Sequence, residues 1–112
     1  MMNEPDYFTY FLDKPEIYKV SDPIKVQNKA FELLGEDAKI AFSPRKNKKY
    51  VIVDPNTNKY IHFGDIRFSD FTKHKDENRR QKYLLRATNI KGNWKNNPYS
   101  PNNLSIKILW DG

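Results

Sequence analysis

The chain has 112 residues and a mass of 13.3 kDa, with a net charge of +6, no cysteine and only 38% hydrophobic residues. That length holds one core, and the missing thiols exclude disulfides and thiolate metal sites, a composition expected of a protein made in a reducing compartment. Residues 1–39 carry five Lys against eight Asp and Glu, a balance of −3, whereas 40–112 carry fifteen Lys and Arg against six acids, a balance of +9, so a polyanion is the partner expected of the later part.

The start, Met1-Met2-Asn3-Glu4-Pro5-Asp6, has neither the positive nor the apolar region of a signal peptide. No run approaches the roughly 18 apolar residues of a membrane span, so a soluble, non-secreted protein is expected. Residues 1–20, with Tyr7-Phe8, Tyr10-Phe11-Leu12 and Ile17-Tyr18, are rich in aromatics without a clean period. They predict an arm packed on the domain or on a neighbour, with 21–112 as one small basic domain. Ser21-Asp22-Pro23 then supplies cap residues and a proline for a first helical turn, and Val26, Ala30, Leu33 and Leu34 share a face before Gly35. This predicts a helix over 23–34. Lys39 to Phe42 reads as a short strand leading into the basic turn Ser43 to Lys49.

Tyr50 to Val53 and Lys59 to Phe63 are β-rich runs separated by the turn formers Asp54-Pro55-Asn56-Thr57-Asn58, which predicts a hairpin. Gly64 is expected to take a positive φ after the strand. A loop follows over 66–70, and Asp76 and Glu77 mark the start of a helix over 76–87. On it Arg80, Tyr83, Leu84 and Ala87 fall on a packing side, with Lys75, Arg79, Lys82 and Arg86 on another. A loop containing Trp94 leads to Ser100-Pro101, a second cap-plus-proline signal ahead of Leu104, Ile106, Ile108, Leu109 and Trp110, which predicts a short docked helix. The whole reads as an α+β domain, a central β-hairpin or small antiparallel sheet packed by two or three short helices.

The expected contact surface is basic. Its candidate nucleic-acid-binding residues are Arg45, Lys46, Lys48 and Lys49 in the turn, with Lys73, Lys75, Arg79, Lys82 and Arg86 from the helical region, all suited to phosphates and none placed for reading bases. Catalysis is not expected. His62 and His74 would serve as a base only if the fold set one beside Asp65 or Asp70, and the roles expected of them are packing or surface contact for His62 and phosphate contact for His74. No metal ligand set or cofactor motif is present in the sequence. Seven Phe, seven Tyr and two Trp must largely fill the core, and Tyr50 and Tyr60, near the basic turn, are the two kept as stacking candidates.

From Ser43 onward the motifs Ser43-Pro44-Arg45-Lys46-Asn47-Lys48-Lys49-Tyr50, His62-Phe63-Gly64-Asp65 and Asp70-Phe71-Thr72-Lys73-His74-Lys75-Asp76 with Arg79-Arg80 occur in order. They continue with Asn97-Pro98-Tyr99-Ser100-Pro101, Leu104-Ser105 and Leu109-Trp110. The series resembles a small uncharacterised basic domain recurrent in giant nucleocytoplasmic DNA viruses, with shorter relatives in large phages. The resemblance brings no catalytic residue with it. It implies a viral protein, packaged in or associated with the virion or acting in the cytoplasmic viral factory of the host. Such a protein would bind DNA or RNA through its basic face, or as a minor capsid or assembly protein would meet other virion proteins through the arm.

Overall fold

In the computed structural model, which describes residues 14–111, the β-branched and aromatic runs in the middle of the chain pair as a three-stranded antiparallel sheet. Strands β1 (Ile40–Phe42), β2 (Lys48–Val53) and β3 (Tyr60–Asp65) lie in chain order with β2 central. Phe42 pairs with Tyr50 and Ile40 with Ile52 across one ladder, and Tyr50 pairs with Phe63 across the other. These five residues are buried in the core, and strand alternation sets them on one face. Their rings run on from strand to strand, with centroids 6.0 Å apart for Phe42 and Tyr50 and 5.8 Å for Tyr50 and Phe63. The β2–β3 turn uses its Asx chemistry: the Asp54 carboxylate accepts from the Asn56 amide at 2.9 Å, and Asn58 takes a φ of 60°.

Helix α1 (Pro23–Leu34) begins where Asp22 accepts from the amides of Ile24 and Lys25, and it ends at Gly35, whose φ is 105°. It buries Val26 and Ala30 against the sheet face, and Leu34 packs at the margin. Leu33, expected on that face, is 44% exposed. The Gln27 amide ties α1 to β1, donating to Ala38 O and accepting from Ile40 N, both at 2.8 Å.

Asp70 caps a single turn, α2 (Phe71–His74), which ends at Lys75 in the left-handed conformation, and Asp76 then caps α3 (Glu77–Thr88). Helix α3 matches the helix expected over 76–87; the turn before it has no counterpart in the sequence reading. After a 3₁₀ turn at Trp94–Asn96, Ser100 caps α4 (Pro101–Leu104), which continues as a π turn over Ser105–Leu109. This terminal segment seats Leu104, Ile108, Leu109 and Trp110 in the core. The expected docked helix is therefore present, and the fold is α+β: a small antiparallel sheet packed by short helices.

Of the expected arm, residues 1–13 lie outside the described residues. The 3₁₀ turn at Pro15–Lys19 buries Ile17 in the core. Just before it, the Lys14 ammonium donates to Ser43 O and Arg45 O at 2.7 Å and to Lys48 O at 2.6 Å. That uses all three of its N–H groups, so one cation organises the carbonyls of the β1–β2 turn.

Candidate nucleic-acid interface

Helix α3 is two-sided, as its spacing predicts. Ala87 is buried, Tyr83 and Leu84 pack against the core, and Arg80 is tied down: Nε donates to Trp110 O at 2.8 Å and Nη1 pairs with Glu77 at 2.8 Å. Arg79, Lys82 and Arg86 are exposed on the other side. They form one wall of a cleft of about 620 Å³, whose other surfaces include Lys48, Gly64, Asp65, Phe68, Asn102 and Ser105. The cleft thus brings a cation from the start of β2 to the helical stripe.

Its electrostatics are one-sided. Among the described residues, none of Lys48, Arg79, Lys82 and Arg86 has a carboxylate within 4 Å. The cleft's carboxylate, Asp65, is already occupied by Arg67, whose Nε and Nη2 donate to it at 3.0 and 2.7 Å and hold its carboxyl below the usual range. Neighbouring cations without counter-charges repel one another, and an anion placed between them relieves that repulsion.

The structure corrects several of the sequence assignments. Lys49 is not a surface cation: it is 2% exposed, its ammonium pairs with the fully buried Asp70 at 2.9 Å, and burial lowers its pKa against the pull of that carboxylate. Lys75 leaves the stripe, because its left-handed φ of 55° breaks the helix before α3 begins. Its side chain instead lies beside Lys25, whose pKa it depresses through their contact. Arg45 and Lys46 are exposed on the β1–β2 turn and Lys73 on α2, all outside the cleft lining. Tyr50 is fully buried, and its hydroxyl donates to Ser21 Oγ at 2.7 Å, so it presents no face for stacking. Tyr60 is half-buried at the start of β3 and away from the cleft. The aromatic that does reach solvent here is Phe68, 61% exposed, which is not one of the two stacking candidates kept from the sequence.

Among the described residues neither histidine ring is hydrogen-bonded to Asp65 or Asp70. His62 Nδ1 meets Ser43 Oγ at 2.7 Å. His74, expected to touch phosphate, lies against the rings of Phe71 and Trp110; its Nδ1 accepts from the Asp76 amide, and its Nε2 is buried without a hydrogen-bond partner. Burial lowers both pKa values, helped by Arg45 and Lys48 at His62 and by Arg79 at His74. Between the lowered folded values and the ordinary value near 6.5 the unfolded chain binds more protons, so stability falls as pH drops through that window. We expect the urea midpoint to fall between pH 7 and pH 5.5, and a His62→Gln/His74→Gln variant to lose most of that slope. An identical slope in the variant would rule the two histidines out. Among the described residues no group of three or more His, Asp or Glu is placed to hold a metal ion.

A family of unknown function (DUF5754) matches residues 38–87. No curated protein and no solved structure matches the chain. The matched segment runs from just before β1 to near the end of α3 and contains every cation of the cleft, whereas Pro101 and Asn102 of α4 and Ser105 of the π turn, which also line it, lie beyond the match.

Proposed function

We propose that this protein binds nucleic acid through the phosphate backbone, at the cleft between α3 and the sheet, and does so without catalysing a reaction. The observation that carries the reading is the convergence of Lys48 from β2 with Arg79, Lys82 and Arg86 from α3 on one concave surface, where among the described residues none of the four is ion-paired and the lining carboxylate, Asp65, is held by Arg67. Side chains of this type contact phosphates and carry little sequence information, so affinity with weak sequence preference is expected. The viral resemblance of the segment from Ser43 onward supports a place for the protein in the virion or in the infected cell's viral factory.

Titration of labelled oligonucleotides by fluorescence anisotropy at several salt concentrations tests the proposal. Four phosphate contacts give a slope of log K against log salt of about −3 for a single strand. The Arg79→Ala/Lys82→Ala/Arg86→Ala variant should flatten the slope to about −1 and weaken binding at low salt on the order of 100-fold. Wild type without salt-sensitive binding would reject the proposal.

One observation favours a second reading, that of a minor capsid or assembly protein. A groove of about 490 Å³ is lined by Leu33, Leu34, Trp94, Pro98 and Ile106, and Leu85 and Ile90 nearby in sequence to its Thr88 are 68% and 53% exposed. Apolar surface of this kind is common where proteins meet. Co-sedimentation with intact particles, together with indifference to nucleic acid, would select this reading over the first.

A further inference from the structure

Resting on the phosphate-binding reading, we infer that the ligand of the cleft is single-stranded nucleic acid, with one base stacked on Phe68 while Arg79, Lys82 and Arg86 follow the phosphates. The cleft is lined by four aromatics, and three are spent: Phe63 is fully buried, and Tyr83 lies flat on Trp110, centroids 4.2 Å apart and planes 6° from parallel. The Tyr83 hydroxyl is engaged by Ser105. Phe68 alone of the four is open, at 61% exposure, with the Arg67 guanidinium 5.7 Å from its ring centre. An exposed phenyl ring is disfavoured in water, and an arginine beside it strengthens the attraction of a base that is also drawn in by charge.

The shape argues against a duplex. In a duplex each base face is covered by its neighbours, so Phe68 would find nothing to stack on, whereas an unpaired strand can turn a base onto it. The cations form a line rather than a knot: from Arg79 to Arg86 the helix rises about 10 Å, which suits a chain of phosphates better than a single anion. Ser69, Asn102 and Ser105 supply polar atoms along the same cleft for sugar or base edges.

The test compares a 15-nucleotide oligo(dT), the matching oligo(U) and a 15-base-pair duplex on wild type, Phe68→Ala and Phe68→Trp. Both single strands should bind wild type at least tenfold more tightly than the duplex. Phe68→Ala should weaken single-strand binding about tenfold with the salt slope unchanged, leave the duplex as it was, and be rescued by Phe68→Trp. Since Phe68 is exposed, the variants should melt within a degree or two of wild type, and that measurement separates lost stacking from lost fold. Equal affinity for single strand and duplex, or single-strand binding indifferent to Phe68→Ala, overturns the inference and leaves the phosphate reading intact. Absence of binding to all three probes overturns both.

Discussion

Asp70→Ala is expected to destabilise the protein by about 3–5 kcal/mol. Asp70 is 0% exposed and accepts through both oxygens: Oδ2 holds the Lys49 ammonium, while Oδ1 takes the amide and the hydroxyl of Thr72. Thr72 Oγ1 in turn accepts from the Asp22 amide at 2.9 Å and lies 3.3 Å from Ser21 Oγ, the acceptor of the Tyr50 hydroxyl. Without the carboxylate, Lys49 keeps among the described residues only the hydrogen bond to Val20 O, at 3.5 Å, and α2 loses its cap. The cost is set by the stranded partner more than by the attraction lost, because burying a charge alone is far worse than burying a pair. Lys49→Met/Asp70→Leu, which removes both charges, should therefore be more stable than Asp70→Ala despite being the larger change. Urea titrations of wild type and the two variants check this, and an Asp70→Ala protein within about 1 kcal/mol of wild type would show that the pair is not a stabilising unit.

Gly64→Ala should cost about 2–5 kcal/mol, from two separable sources. Gly64 has a φ of 81°, and an added Cβ would stand 2.9 Å from Leu109 Cδ1 and 3.1 Å from Lys49 Cβ. Gly35 provides the control, since its φ is 105° but nothing lies within 4 Å of an added Cβ. Gly35→Ala should show backbone strain alone, about 1–3 kcal/mol, and Gly64→Ala that strain plus the overpacking of strand against π turn. Equal losses at the two positions would mean that Leu109 moves aside freely. Thermal and urea denaturation of both variants give the comparison.

The elements with local signals were legible in the sequence. Asp22-Pro23 and Ser100-Pro101 mark helix starts through a cap and a fixed φ, both readable within four residues, and the Asp54 to Asn58 turn is equally local. Of the candidate site, the Arg79, Lys82 and Arg86 stripe follows from helical spacing alone. What sequence could not supply was which charges have partners far away. Lys48 and Lys49 look alike as neighbours in a basic run, yet among the described residues Lys48 has no ion-pair partner whereas the Lys49 ammonium is buried against Asp70, 21 residues on. The sequence reading keeps Lys49 in the turn and begins the strand at Tyr50, whereas β2 begins at Lys48 and carries Lys49 inside the sheet. Phe68 rather than Tyr50 reaches the surface for a related reason. Phe68 follows β3 in a loop that leaves it exposed, whereas Tyr50 pairs across both ladders of the central strand and is enclosed on each side.

The network around Asp70 also bears on the order in which the molecule assembles. The β2–β3 hairpin and α3 are made of contacts close in the chain and can form early, whereas Tyr50–Ser21, Thr72–Asp22 and Lys49–Asp70 join positions 29, 50 and 21 residues apart. Contacts that close such long loops are expected to come late, after the transition state is passed. The buried pair then acts as a latch: its loss speeds escape from the native state far more than it slows arrival there.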